Sequence, residues 1–302
     1  RAFGAGSPLV VSAMIDLAKI EEQDGDREAA IRLYERSAGI LERDPALHAS
    51  LLSSTLVAHA RLILGRGDAP LAMEESLRSE ALAREHFQVA SRGLPEEESL
   101  RLQSIRSSGL WLALEILSDG HRPERSIGRT FEEVIRSRAL VLDQMAGHHG
   151  RDEAHAPRGG IGLEVIRDAL PRDVALVAWV RHAVSSAVQR GQPPTEEARY
   201  SVFTLPAGSR EPVFTAMGDA AVIEPLVLQW RSLAGSDPRR SDDPDPEGSA
   251  RAAGQRLREA IWDPIAKQVG PARRIFIIPD GAINLVSFPA LPVAQQRYLV
   301  EE

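Results

Sequence analysis

The first half of the chain carries an apolar pattern with helical spacing. Apolar residues recur at steps of three and four, as at Ile31, Tyr34, Ala38 and Leu41, which is the spacing of one face of an α-helix. Ala, Leu, Glu and Arg dominate the same region, and all four favour helices. We therefore predict a helical region that ends near residue 155.

Two Gly-Asp pairs divide this region into hairpins. Gly25-Asp26 separates two helical patterns between Ala13 and Arg43, and Gly67-Asp68 separates Leu51–Leu64 from Leu71–His86. Glycine suits the tight turn between two antiparallel helices because it tolerates a positive φ. A single hairpin is better interpreted as amphipathic helices of some bundle, whereas two aligned hairpins favour a repeat.

A third, weaker hairpin is predicted from Glu97–Leu117 and Ser126–Met145. The helical spacing then lapses between Ala146 and Gly162, where Gly, His and charged residues predominate. Such a composition is typical of a linker. We place the domain boundary within it, near residue 155.

Beyond the linker the pattern becomes that of strands and helices together. Strands are predicted at Val174–Val180, Tyr200–Leu205 and Pro212–Met217, and helices at Ala220–Leu233 and Ala250–Val269. A continuous apolar run follows at 274–279, which is typical of a strand buried on both faces of an α/β sheet. The predicted fold class is a helical hairpin array followed by an α/β sheet domain.

Composition excludes several classes of function. The chain has 302 residues and a net charge of −7, so it lacks the basic character that nucleic acid or anionic lipid requires. No stretch approaches the roughly 20 apolar residues of a membrane span, and Arg1–Pro8 lack the apolar core of a signal peptide. We expect a cytoplasmic protein that binds neither nucleic acid nor membrane.

Cysteine is absent from all 302 residues. This excludes a disulfide framework, a thiolate metal site and a cysteine nucleophile within the sequence. No phosphate-binding loop is present either, because Gly159-Gly160-Ile161-Gly162 lacks the spacing of a dinucleotide loop. We therefore predict no cofactor.

The strongest local signal is the turn Pro279-Asp280-Gly281, which follows the predicted strand at 274–279. Asp can accept backbone hydrogen bonds there, and Gly can take a positive φ. In open α/β sheets the loops at the carboxyl ends of strands border the ligand crevice. Asp280 is therefore a candidate for the substrate cleft, and the alternative is that it only closes the turn.

Histidines offer weaker candidates. His149-Gly150 is a His-Gly pair without a preceding strand, and His182 is interpreted as a surface or strand-end histidine. His148, His149, Asp152, Glu153 and His155 are metal-ligand types in one loop, but they lack the i, i+4 spacing of a helical site, so a solvated loop is the better interpretation. No catalytic or metal residue is assigned.

Two segments resemble the opening of a CHAT domain, residues 257–265 and residues 277–291. The second contains Pro279-Asp280-Gly281 and a Phe288-Pro289 pair before Ala290-Leu291. Leu170-Pro171 and Val213-Phe214 are also similar to the front end of that family. The Gly-Asp hairpins resemble tetratricopeptide (TPR) repeats, although their spacing of 42 residues differs from the regular 34. The whole chain resembles bacterial TPR–CHAT proteins, with a TPR-like region at 1–155 and the front part of a CHAT domain at 156–302.

This resemblance implies a caspase-like fold and a cysteine endopeptidase mechanism, in which a His assists a Cys that attacks the scissile carbonyl. Both residues are expected beyond Glu302. The chain is then the regulatory and scaffold portion of a peptidase. Its expected partners are a protein or peptide activator or substrate on the TPR surface, and the remaining CHAT segment in the same or a separate chain. The alternative is a non-enzymatic interaction protein with an incomplete caspase-like module.

Overall fold

The computed structural model describes residues 8–91, 94, 98, 109–148, 161–185, 196–237, 243–270, 272–293 and 297–301. The chain divides into two compact units, Arg1–Arg167 and Asp168–Glu302. The first is helical and the second contains a small mixed sheet with helices, which confirms the predicted class of helices followed by an α/β unit. The division lies between residues 167 and 168, whereas the sequence pattern placed a boundary near residue 155.

The first unit is built from helices that pair along the chain. These helices are α1 (Pro8–Asp24), α2 (Arg27–Leu41), α3 (Ala49–Gly65), α4 (Ala69–Ala90), α5 (Gly109–Ser118) and α6 (Ser126–His148). A short α7 (Leu163–Ala169) includes the division between the two units. Helix α1 packs against α2, α3 against α4, and α5 against α6. The two predicted hairpins are confirmed, and α5 with α6 forms the third. Its predicted start, from Glu97, lies outside the described residues except for Glu98.

The first helices of the three hairpins end in the same way. The glycine that ends the first helix has a φ of +92° at Gly25, +90° at Gly67 and +91° at Gly120. In each case the N–H of the next residue donates to a carbonyl five residues back, from Asp26 to Glu21, from Asp68 to Ile63 and from His121 to Ile116. This is the Schellman ending of a helix.

Aspartates cap the second helices of the first two hairpins. The Asp26 carboxylate accepts from the Ala29 N–H at 2.9 Å, and the Asp68 carboxylate accepts from the Leu71 N–H at 3.1 Å. A side-chain acceptor at this position satisfies one of the N–H groups that a helix leaves unpaired at its start. The Gly-Asp pair therefore ends one helix and begins the next.

A buried alanine precedes each hairpin glycine by seven residues. Ala18, Ala60 and Ala113 are each 0% exposed. A small side chain at this point lets two helices approach closely. Equivalent positions of the first two hairpins are therefore 42 residues apart, both in the turn and at the buried alanine. We call this spacing the register of the hairpins.

The second unit contains one four-stranded sheet. Its strands are β1 (Val174–Ser185), β2 (Glu196–Leu205), β3 (Val213–Asp219) and β4 (Arg274–Ile278), in the order β3-β2-β1-β4. Strands β1, β2 and β3 pair antiparallel, whereas β4 pairs parallel with β1. All four predicted strands are present, and β1 runs five residues beyond its predicted end at Val180.

Helices α8 (Ala220–Ala234), α9 (Pro246–Ile261) and α10 (Asp263–Val269) share a core with one face of the sheet. This core includes Trp179, Val202, Val227, Leu257 and Phe288, each 6% exposed or less. Trp179 lies 6.3 Å from Phe288 and 6.4 Å from the Tyr200 ring between centroids. The aromatic contacts join the sheet to the segment that follows β4.

The single helix predicted at Ala250–Val269 is wrong, because the chain forms α9 and α10 with a break at Trp262. Proline explains the break. Pro264 lies in the first turn of α10, where its missing N–H costs nothing, whereas inside a continuous helix it would remove a hydrogen bond.

The prediction that β4 is buried on both faces is also wrong. Ile275 and Ile277 pack against the core, whereas Phe276 is 51% and Ile278 40% exposed. Successive side chains of a strand point to opposite faces. Helices α8, α9 and α10 share a core with the face that carries Ile275 and Ile277, whereas the described residues leave Phe276 and Ile278 on the opposite face partly uncovered.

Within the described part of the chain, no helix combines the length and the apolar composition that a membrane span requires.

Candidate functional site

The carboxyl ends of β1 and β4 lie side by side because the two strands are parallel. Their last paired residues are Ala178 and Ile278. Beyond this point β4 ends in Pro279-Asp280, whereas β1 continues through Arg181. The parallel pairing places Asp280 next to Arg181, which is 99 positions away in sequence.

The Asp280 carboxylate accepts two backbone hydrogen bonds. Its Oδ2 accepts from the Arg181 N–H at 2.9 Å, and its Oδ1 accepts from the Gly281 N–H at 2.8 Å. The residue is half-buried and begins the 3₁₀ helix Gly281–Leu285. Asp280 therefore closes the turn after β4 and also ties that turn to β1.

Gly281 has no space for a side chain. Its φ is +53°, and a Cβ built there would collide with the Tyr200 hydroxyl and lie 2.7 Å from the Arg181 Cδ. A positive φ already favours glycine. The Pro-Asp-Gly turn therefore combines a required conformation with a close approach to two side chains of neighbouring strands.

A polar cluster surrounds this turn. The Arg181 Nε donates to the Glu224 Oε1 at 2.8 Å, the Tyr200 hydroxyl donates to the same oxygen at 3.2 Å, and the Ala282 N–H donates to the Tyr200 hydroxyl at 2.9 Å. Arg181 and Glu224 are partly exposed, at 43% and 31% of their side chains. We call Arg181, Tyr200, Glu224 and Asp280 the strand-end cluster.

The electrostatics of the strand-end cluster follow from burial and from these hydrogen bonds. The hydrogen bond to Glu224 is the largest cause that raises the pKa of Arg181. Burial is the largest cause that raises the pKa of the Tyr200 hydroxyl, with the Glu224 charge acting in the same direction. At neutral pH the cluster therefore presents a charged guanidinium and a protonated phenol at the strand ends.

His182 is buried, so its interpretation as a surface or strand-end histidine is wrong. It is 1% exposed, and its Nε2 lies 3.0 Å from the Ser201 Oγ. Because β1 continues to Ser185, His182 is paired within the sheet, opposite Arg199. Burial lowers the pKa of His182 to about 4, which keeps the ring neutral at physiological pH.

The remaining histidine candidates lie outside the described residues. This applies to His149-Gly150, Asp152, Glu153 and His155, to the side chain of His148, and to Gly159-Gly160. Within the described ranges, no group of three or more His, Asp or Glu side chains could hold a metal ion.

Sequence reasoning found Asp280 and missed its partners. Arg181, Tyr200 and Glu224 lie in three different elements, β1, β2 and α8. No local pattern joins them. The antiparallel pairing of β1 with β2 sets Arg181 opposite Tyr200, and the packing of α8 adds Glu224. The alternation of β2 could have shown that Tyr200 and Val202 share a face, but not that the Tyr200 hydroxyl meets the turn after β4.

Comparison with family models gives one match, which covers residues 251–302 and is described as the CHAT domain. The matched segment contains most of α9, all of α10 and β4, and the Pro-Asp-Gly turn. Neither the curated proteins nor the solved structures contain a match to the chain. The fold and the site thus define a protein with a helical hairpin unit and a mixed α/β unit, and residues 251–302 of the second unit are similar to the CHAT domain.

Proposed function

We propose that this chain is the regulatory and scaffold portion of a bacterial CHAT cysteine endopeptidase that cleaves a protein substrate. The observation that supports this proposal most directly is the CHAT-domain match at residues 251–302. That segment contributes the edge strand β4 and the turn that supports the strand-end cluster. The proposal assigns the second unit to the front part of a caspase-like domain.

The geometry of the strand ends supports a cleft at this place. Ligands of open α/β sheets bind outside the carboxyl ends of parallel strands, and β1 and β4 are the parallel pair of the described sheet. The partly exposed Arg181 and Glu224 lie there with Asp280. In this proposal Asp280 fixes the wall of the substrate cleft through its two backbone hydrogen bonds.

The catalytic His and Cys are assigned to residues beyond Glu302. A cysteine endopeptidase needs a thiolate that attacks the scissile carbonyl and a base that takes the thiol proton, and the 302 residues contain no cysteine. The proposed partner of the second unit is therefore the remaining CHAT segment, supplied by the same or a separate chain.

The helical unit is proposed to be a TPR-type array that binds a protein or peptide activator. Three hairpins whose first helices share one C-terminal ending and one buried alanine position support a repeat of this kind. Stacked helical hairpins provide extended surfaces for peptide binding. In this proposal, activator binding to the array controls the peptidase.

The test is proteolysis by the purified full-length protein. We expect cleavage of a protein substrate, and we expect that replacing the proposed catalytic cysteine by alanine abolishes it. Thermal unfolding of both proteins serves as the control, since an unfolded variant would lose activity for another reason. Cleavage that persists in the folded cysteine variant would exclude the cysteine mechanism.

A second candidate is a non-enzymatic interaction protein with an incomplete caspase-like module. The observation in its favour is that the 302 residues contain no cysteine. The two candidates differ in the full-length protein, which carries a strand followed by His-Gly and a strand followed by Cys only if it is a peptidase. A full-length protein without this pair supports the interaction protein.

A further inference from the structure

One position of the hairpins is buried in two helices and exposed in the third. The residue eight positions before the hairpin glycine is Leu17 in α1, His59 in α3 and Leu112 in α5. His59 and Leu112 are 5% and 2% exposed, whereas Leu17 is 44% exposed. The neighbouring alanine is fully buried in all three hairpins, so the difference is confined to one side of α1.

An apolar stripe runs along this side of α1. Leu9, Ala13, Leu17 and Ile20 follow each other at steps of four, four and three, which places them on one face of the helix. Leu9 is 65% and Ile20 52% exposed, and Ala13 is exposed as well. Isolated apolar residues are common on protein surfaces, but a continuous stripe is a mark of an interaction site.

The equivalent stripe of α3 is covered. With a register of 42 residues, the four positions correspond to Leu51, Thr55, His59 and Leu62. Thr55, His59 and Leu62 are 6% exposed or less, and Leu51 is half-buried. The same face of the repeat is therefore a packing surface in α3 and an open surface in α1.

His59 contacts Glu75 of α4, its own hairpin partner, at 2.8 Å, and the pairing of the helices points to a second element that covers this face. In addition to its own hairpin partner, α3 packs against α2 and α5 packs against α4. Each of these first helices thus lies against the second helix of the preceding hairpin. Within the described residues, α1 has no preceding hairpin to lie against.

We propose that the stripe Leu9, Ala13, Leu17 and Ile20 docks the second helix of a further helical hairpin of the same kind. The contact continues the α2–α3 and α4–α5 interfaces by one repeat. The docked helix presents an apolar face like that of α2, whose buried residues include Ala30, Ile31, Tyr34, Ala38 and Leu41. This inference rests on the repeat geometry and is independent of the proposed peptidase function.

The absence of cysteine from the sequence makes a thiol-labelling experiment possible. Two single-cysteine variants are prepared, Leu17→Cys in the stripe and Lys19→Cys on the solvent side of α1, where the side chain is 59% exposed. Each variant is made in the 302-residue chain and in a chain with a copy of residues 7–48 inserted before residue 7. The insertion places a second α2 in front of α1 with the register that α2 has before α3.

In the 302-residue chain we expect both thiols to react with a small alkylating reagent at rates within a few-fold of each other. In the extended chain, we expect Leu17→Cys to react at least about tenfold more slowly, because labelling then requires local opening. Lys19→Cys is expected to keep its rate. Far-UV circular dichroism reports whether the inserted hairpin adds helix.

Three results would overturn the proposal. The first is equal labelling of Leu17→Cys in the two chains when the insertion is helical, since the face then does not accept an α2-type helix. The second is an insertion that adds no helix and leaves Leu17→Cys reactive. The third is slow labelling of Leu17→Cys in the 302-residue chain that depends on protein concentration, which would assign the stripe to a second copy of the chain.

Discussion

His182 couples the stability of the second unit to pH. The ring is buried, and its pKa of about 4 lies below the ordinary value of 6.5. The unfolded chain therefore binds a proton at a pH where the folded chain does not. The sign follows from this difference, because stability rises with pH wherever the unfolded state binds more protons.

We expect the contribution of His182 to be fully present above pH 6.5 and to be lost as the pH falls towards 4. A shift of this size corresponds to about 3 kcal/mol of unfolding free energy. In the variant His182→Gln this pH-dependent loss should be absent. Urea denaturation at several pH values between 4 and 7 measures it, and parallel pH profiles of the two proteins would contradict the assignment.

Asp280 offers a second prediction at the level of one side chain. Asp280→Ala removes the acceptor of two backbone N–H groups, and we expect it to lower the unfolding free energy by about 1–3 kcal/mol. Asp280→Asn is the matched variant, because its amide oxygen can still accept one of the two bonds, and it should lose less. Chemical denaturation measures both changes.

The same variants test the proposed cleft role in the full-length protein. We expect Asp280→Ala to lower kcat/KM for a protein substrate at a temperature where the variant is folded. An Asp280→Ala protein that keeps both its stability and its full proteolytic activity would remove Asp280 from the site.

The helical hairpins depend on their Gly-Asp turns. Asp26 and Asp68 each accept a hydrogen bond from the third residue beyond them, which is the usual contact of a helix N-cap. We expect Asp26→Ala and Asp68→Ala each to lower the unfolding free energy of the helical unit by about 1 kcal/mol. Thermal and urea denaturation provide the measurement.

Asparagine substitutions provide the control for this prediction. Asp26→Asn and Asp68→Asn keep a side-chain acceptor, so their stability should remain close to that of the original chain. Alanine variants as stable as the asparagine variants would show that the caps do not hold the second helices in place.

These turns were predictable from sequence because their physics is local. The positive φ of Gly25 and Gly67 and the caps at Asp26 and Asp68 involve only residues within five positions. The break at Trp262 could also have been inferred from Pro264. In contrast, a strand pattern does not show how far a strand continues, so the end of β1 and the burial of His182 were missed.

The strand-end cluster shows the same limit at longer range. Pro279-Asp280-Gly281 is visible as a turn, but the hydrogen bond from Arg181 to Asp280 joins residues 99 positions apart. The exposure of Phe276 and Ile278 likewise depends on what packs over their face of the sheet and not on the apolar sequence of β4. Which strands pair, and what packs over each face of the sheet, depend on the whole assembled sheet and cannot be inferred from one run of residues.

The molecule as a whole combines a helical hairpin unit with an α/β unit in which residues 251–302 match the CHAT domain. We propose that the helical unit regulates, and the second unit supports, a cysteine endopeptidase. Stability measurements on the 302-residue chain test its fold. Only peptide-bond cleavage by the full-length protein tests the proposed peptidase function.

The most direct measurement compares newly formed protein N-termini by mass spectrometry in cells that express either the full-length protein or its cysteine-to-alanine variant. We predict a defined set of new N-termini that requires the cysteine and appears under the condition that activates the helical unit. Identical sets of N-termini in the two cell populations, with both proteins folded and equally abundant, would contradict the account.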